Sequence, residues 1–254
     1  MSTWVTHLMV ADKVVQQVPG LSRHEFFVGN IAPDCNVENE DWTSFTPPRE
    51  VTHWMEGKRK VAADCDRFLR EYVEKKENLD HKEASFLFGY YAHLLTDAEF
   101  QRCIRDEERI KAAWTRIKKH PELSQLAVGM EETWDSVKIL INRKERAKDI
   151  FSIEREYLDQ HPESGYLTDI VGLTEFPDYI DYLPAGAIVR KVKVMGMIPK
   201  KEVSQYPYIG MSIEEYQCFV ENAAKLVVEA IENYMVLKRC QANLSRHIEK
   251  LTAV

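Results

Sequence analysis

Residues 85–97, Ser-Phe-Leu-Phe-Gly-Tyr-Tyr-Ala-His-Leu-Leu-Thr-Asp, constrain this chain more than any other stretch. They read as the middle of a long, mostly buried helix. Phe86, Tyr90, His93 and Asp97 recur at steps of three and four, so they share one helical stripe. His93 and Asp97, one turn apart, do not belong in a plain apolar core. An imidazole and a carboxylate at that spacing can grip one metal ion from a rigid backbone. Alone, such a pair is ordinarily a hydrogen-bonded structural pair. The balance shifts when other ligand-type residues occur in non-surface contexts, and three do: His7, Asp34 and His53.

The 254 residues suffice for one large helical domain or two small ones. We expect a single helical domain over 1–254, with a metal-site core in 1–120, further helices in 121–254 and an irregular segment at 166–210. A hydrophobic fraction of 44% with 30% charged residues fits a soluble globular protein. The net charge of -7 argues against a nucleic-acid partner, which would want a basic face. It leaves room for a small phosphate-bearing substrate, because a bound metal supplies local positive charge. Residues 1–20 lack the pattern of a signal peptide, and no apolar run reaches the length of a transmembrane span. The five cysteines form no CxxC pair and read as reduced thiols, Cys103 and Cys240 as small buried hydrophobes; the expected location is cytoplasmic.

Residues 3–18 predict a first helix whose apolar stripe (Trp4, His7, Leu8, Ala11, Val14, Val15, Val18) turns His7 inward, and Pro19-Gly20 stops it. Ser22 with Glu25 at capping-box spacing starts a second helix, expected to break near Gly29. Pro33 then sets a turn from which Asp34 emerges among Phe26, Phe27, Val28 and Ile31, where a carboxylate needs a partner. Residues 37–50 read as a loop whose aromatics, Trp42 and Phe45, can rim a pocket. His53 lies at a loop–helix boundary before an amphipathic helix over Lys58–Lys76.

The central helix is expected from about Lys82 to Asp106, continuing through Trp114 to Lys119, with Arg102–Arg109 as a solvated face. Helical pieces follow in 122–160. Pro and Gly punctuate 166–210, where Ala187–Val194 reads as a short helix and Arg190, Lys191, Lys193, Lys200 and Lys201 as a solvated basic face. Ser212 and Glu215 cap a last helix to about Leu251, striped by Phe219, Ala223, Leu226, Val227, Ala230, Ile231, Tyr234 and Leu237, with His247 exposed near its end. A helix this long braces a bundle or an oligomer, so self-association through it is expected. No segment reads convincingly as a strand, and the fold class is all-α.

His7, Asp34, His53, His93 and Asp97 thus come from separate segments, each in an apolar or aromatic context. Mixed His and carboxylate donors suit zinc, and also manganese, iron or nickel. A carboxylate such as Asp97 can bridge two ions, an arrangement suited to phosphoester hydrolysis.

Thr6-His7-Leu8, Phe27-Val28-Gly29-Asn30-Ile31-Ala32-Pro33-Asp34, Thr52-His53-Trp54 and Gly89-Tyr90-Tyr91-Ala92-His93-Leu94-Leu95-Thr96-Asp97, in that order, resemble the zinc-dependent phospholipase C family. The resemblance implies an all-α multi-helix bundle with long central and C-terminal helices, related in fold to the fungal single-strand nucleases. It implies that His53 and His93 bind one metal with Asp97, that Asp97 bridges to a second metal held by His7, and that Asp34 contacts the metal or acts as general base. Tyr90 and Tyr91 are read as packing. Secreted members use the amino group of an N-terminal Trp; this chain starts at Met1 and Trp4 is internal. Trinuclear members carry further His, His and Glu ligands after the central helix, but 98–119 contain no His, although Glu154 or Glu156 can contribute. One or two ions are therefore expected, with a small-molecule or lipid-headgroup phosphoester as substrate. The alternative is an inactive helical module that binds one structural metal, or none, and acts through protein contacts. A His–Asp-type nucleotide phosphohydrolase ranks lower, because no His-Asp dipeptide occurs.

Overall fold

The structure, a computed structural model, describes residues 3–41, 43–55, 64–76 and 79–252, the last stretch beyond residue 238 as backbone only. Expectations for Trp42, for the start of the Lys58–Lys76 helix, and for the side chains of Cys240 and His247 lie outside the described residues.

The fold is all-α. Helix α1 (Trp4–Gln17) begins where the Thr3 hydroxyl accepts from the Thr6 amide. Almost every side chain of α1 is buried, because α2 (Arg23–Ile31), α5 (His81–Cys103) and α11 (Ile213–Thr252) surround it. Buried Asp12 on α1 accepts from Tyr157, Ser164 and the Gly165 amide, tying α1 to the turn at 161–165. Asp80 caps α5 through the Glu83 amide. The predicted capping box of α11 forms: Glu215 N–H donates to Ser212 Oγ at 3.2 Å, and Ser212 N–H to Glu215 Oε2 at 2.8 Å. Of the stripe expected on α11, Leu226 and Leu237 face solvent, while Tyr216, Val220, Ala224 and Val228 join the buried face.

Gly29 does not break α2. A Cβ there would lie 2.1 Å from the Phe86 carbonyl oxygen, and one on Gly89 would lie 2.1 Å from that of Phe26. The two glycines meet where α2 crosses α5, and only hydrogens allow the backbones to come that close. This contact sets the position of Asn30 against His93.

Other elements differ from expectation. The capping half of the Ser22 box is not made: the Ser22 hydroxyl bonds the Glu25 carboxylate, and its amide donates to Ser85 Oγ at 2.9 Å. Residues 37–46 hold a short antiparallel hairpin, β1 (Val37–Glu38) with β2 (Phe45–Thr46), instead of plain loop. A short α3 (Arg49–Thr52) follows; α4 (Cys65–Phe68) widens into a π turn over Leu69–Glu74. The central helix ends at Cys103. Asp106 caps a separate α6 (Glu107–Lys119) by accepting from the Arg109 amide, with two glutamates in its first turn.

Arg109, expected in solvent, is buried. It donates to the carbonyls of Cys103, Ile104 and Gly210 and stacks on Trp134. Lys191, expected on a solvated face, is buried and paired with Glu38. Cys103 is half-buried.

With α6, helices α7 (Leu123–Leu126) and α8 (Trp134–Leu140) enclose a second, smaller apolar cluster around Trp114, Ile117, Leu123, Val137 and Ile141, whereas α9 (Arg143–Gln160) packs Ile150, Ile153, Tyr157 and Leu158 on the main core. The irregular 166–210 segment holds a π turn at Tyr166–Ile170 and the expected short helix, α10 (Ala187–Met195). No helix among the described residues is long and apolar enough to cross a membrane.

Candidate metal centre

The five donors foreseen in the sequence converge at one place. His7 comes from the first turns of α1, and His93 and Asp97 from successive turns of α5. Asp34 ends the 3-10 turn Ala32–Asp34 after α2, and His53 closes α3. His7 and His93 stack with ring centroids 3.7 Å apart and planes 7° from parallel; His53 meets His93 edge-on. All three imidazoles are buried.

Hydrogen bonds fix which ring nitrogen each imidazole offers. His93 Nδ1 donates to the Asn30 carbonyl at 2.7 Å, so its Nε2 presents a lone pair to the cluster. The Thr52 hydroxyl donates to the Arg49 carbonyl, which leaves its oxygen to accept from His53 Nδ1 at 3.0 Å; His53 Nε2 likewise presents a lone pair. These two nitrogens lie 3.4 Å apart. Asp34 Oδ1 is 3.3 Å from His53 Nε2, and Asp97 Oδ2 is 3.8 and 3.9 Å from the Nε2 atoms of His53 and His93. With the rings neutral, four acceptor atoms therefore face one another, an arrangement that a bound cation relieves. Asp97 Oδ1 turns the other way, to His7 Nε2 at 3.7 Å, so the carboxylate has one oxygen for each side. Donor atoms of His7, His93 and Asp97 lie within 4.8 Å of one another, as do those of Asp34, His53 and His93. His93 has only one nitrogen to give, since Nδ1 is spent on Asn30, and can serve one ion at a time.

Burial pushes the His7 pKa well down, helped by neighbouring His93, and burial likewise lowers that of His93. Burial alone would raise both carboxyls. Instead, with the rings protonated and no metal bound, a hydrogen bond from His53 and the charge of His93, His53 and Arg49 hold Asp34 well below the usual range, and the charge of His93, His7 and His53 brings Asp97 to about 2. Neutral imidazoles with ionised carboxylates are the protonation states a divalent metal requires. The donor set fits zinc.

Groups that the sequence reading left out hold this cluster in place. Arg49 Nη2 lies 2.8 Å from His53 Nε2 and 3.4 Å from Asp97 Oδ2, and Nη1 lies 3.4 Å from Asp34 Oδ1. Its only sequence signal is a position four residues before His53. Tyr90, read as packing, donates to the Thr52 carbonyl and accepts from Tyr182 at 2.7 Å, and so fastens the His53 segment to α5. Trp54, directly after His53, adopts a left-handed backbone (φ 52°), an uncommon state for a bulky residue; its ring is held against Phe68 and Tyr72. Glu154 does not reach the cluster through any hydrogen bond. It is buried beneath α1, accepting from the Thr3 and Thr6 hydroxyls and the Thr6 amide. His120 and His161 serve helix ends, His120 accepting from the Leu123 amide and His161 beside Glu163.

Fold and site together define an all-helical protein with a buried cation-seeking cluster built from His and Asp. Residues 6–99 match the family model described as zinc dependent phospholipase C, so the resemblance holds over the stretch that carries all five donors, which is less than half of the chain. No curated protein and no solved structure matches the chain.

Proposed function

We propose that this chain is a metal-dependent hydrolase of phosphoester bonds, acting on a small or headgroup-sized substrate. The observation that carries this reading is the convergence of His53 Nε2, His93 Nε2, Asp34 Oδ1 and Asp97 Oδ2 on one point, with both imidazole rings oriented by hydrogen bonds at Nδ1. His53, His93 and Asp97 would hold a first zinc ion, with Asp34 beside it to contact the ion or its water; His7 and the second oxygen of Asp97 would serve a second. Such ions, when bound, lower the pKa of water and neutralise charge developing on phosphoryl oxygens.

The remaining work falls to side chains. Asp34 lies beside Arg49 and His53, within reach of a water in the cluster, whose proton it would accept. Arg49, partly exposed, presents a planar fork of donors that matches two oxygens of a phosphate. The aromatic wall of Trp54, Tyr72 and Tyr182 excludes water on the His53 side.

A second reading has a specific observation in its favour. Arg49 donates to the same His53 lone pair that a metal needs. A chain in which Arg49 is the permanent counter-cation would be a metal-free helical module working through protein contacts. Elemental analysis of protein purified without added metal separates the two. One or two zinc ions per chain, lost together with turnover of bis(p-nitrophenyl) phosphate in Asp97→Asn, supports the hydrolase. Metal-free protein that takes up neither zinc nor manganese ends it.

A further inference from the structure

A concentration of positive charge lies away from the His/Asp cluster. A cleft of 550 Å³ opens between the end of α5, α8 and the start of α9. Arg105, Lys138, Arg143 and Arg146 line it, against a single carboxylate, Asp135, which is paired with Lys138. Among the described residues, none of the three arginines has a carboxylate within ion-pairing distance. Arg105 bonds only the carbonyl and side chain of Gln101, Arg146 only the carbonyls of Lys138 and Ile141, and Arg143 makes no hydrogen bond among the described residues. The chain carries 41 acidic residues against 34 basic ones, and Arg23, Arg49, Arg67, Arg102, Arg116 and Arg155 each stand beside a carboxylate. Arg143 and Arg146 repel each other across the cleft: burial first, and then the charge of Arg143, lower the pKa of Arg146. An anion placed between them relieves that repulsion.

The floor of the cleft has the opposite character. A smaller, mostly apolar recess shares Phe100, Ile104, Trp134, Ile150 and Arg146 with the cleft and continues inward to Ile153, Met211 and Tyr216, with the Asp149 carboxyl, held by the Tyr208 amide, at its edge. Trp134 spans the boundary, with the Arg146 guanidinium 5.7 Å from its ring. A ligand that satisfies mouth and floor together has an anionic head and a compact apolar body. Three guanidiniums exceed what one carboxylate can engage, whereas a phosphate monoester offers about two negative charges and three terminal oxygens.

We propose that this cleft binds an organic phosphate monoester, its head among Arg105, Arg143 and Arg146 and its apolar body in the cleft against Trp134, at the mouth of the recess. The site is separate from the His/Asp cluster and shares none of its donors. It also reaches Thr3, the residue that caps α1, whose first turns carry His7.

Calorimetric titration with phenyl phosphate tests this, with inorganic phosphate and phenol as the two halves of the ligand. We expect one site per chain with a Kd below about 1 mM, and binding of each half at least about tenfold weaker. Arg105 and Arg143 are exposed, so Arg105→Gln/Arg143→Gln removes two head contacts without touching the core and should weaken phenyl phosphate by roughly tenfold or more. Asp97→Asn should leave the affinity unchanged, which separates this cleft from the His/Asp cluster. Absence of binding at 10-fold above about 1 mM, equal binding of inorganic phosphate, indifference to the double substitution, or loss of binding in Asp97→Asn would each overturn the proposal.

Discussion

The two sides of the candidate metal centre are built differently. His7, His93 and Asp97 project from long helices buried in the main apolar core, and two of their rings are stacked. Asp34 and His53 come from a three-residue 3-10 turn and from the end of a four-residue helix, and the partly exposed Arg49 bridges them. The helical side derives its geometry from packing that exists whether or not an ion is bound. The short-element side derives it from polar contacts among the site residues themselves, from Tyr90 and from the Trp54 wall. A binding site needs both: a fixed set of ligands for affinity, and a set that can adjust to substrate.

The largest expected effect breaks the helical side. Gly89→Ala forces a methyl group against the Phe26 carbonyl, so α2 and α5 must separate. Destabilisation of about 3 kcal/mol or more, read by urea unfolding, should accompany loss of metal uptake. Unchanged stability would refute the tight crossing.

Next, the two carboxylates should part company. Asp97→Asn removes the group that faces both halves of the cluster and should lower zinc affinity at least ~100-fold, whereas Asp34→Asn should retain zinc within roughly tenfold and chiefly reduce turnover. Competition titration with a chromogenic chelator measures both. Equal losses would erase the distinction between the two sides.

Glu154 sharpens the comparison through pH. Burial lifts its pKa to about 7 against the hydrogen bonds from Thr3 and Thr6, which oppose the rise. Because the folded value lies above the unfolded one, its contribution is complete below about pH 4.5 and is lost as pH rises through about 7. Glu154→Gln should therefore be more stable than the parent at pH 8, by up to about 3 kcal/mol, and gain little at pH 4.5. A gain of equal size at both pH values would sink the assignment. The smallest effect belongs to Thr52→Val, which deletes the acceptor for His53 Nδ1 and should weaken zinc binding about tenfold while leaving stability nearly unchanged.

The residues that converge were legible because they break a pattern. An imidazole or carboxylate on an apolar stripe stands out, as His7, His93 and Asp97 do. Arg49 did not, since a charged residue after two prolines looks like ordinary loop. Asn30 acts through its carbonyl, which no side-chain pattern encodes. Gly29 was read as a helix break because glycine disfavours helix, yet here the missing Cβ is what packing requires. The end of α5 at Cys103 was readable in the Asp-Glu-Glu run that caps α6, but the surrounding charges pointed equally to a solvated face. The second apolar cluster and the basic cleft depend on contacts between segments distant in sequence, which local periodicity does not carry.

The glycine crossing has a consequence for how the protein is assembled. Asn30 can orient His93 only after α2 has seated on α5, and the close fit of Gly29 and Gly89 leaves no partly seated arrangement with the same spacing. The full donor set is therefore absent from any species in which these helices have formed but not yet docked. During refolding, the uptake of zinc would act as a clock for that docking event rather than for helix formation.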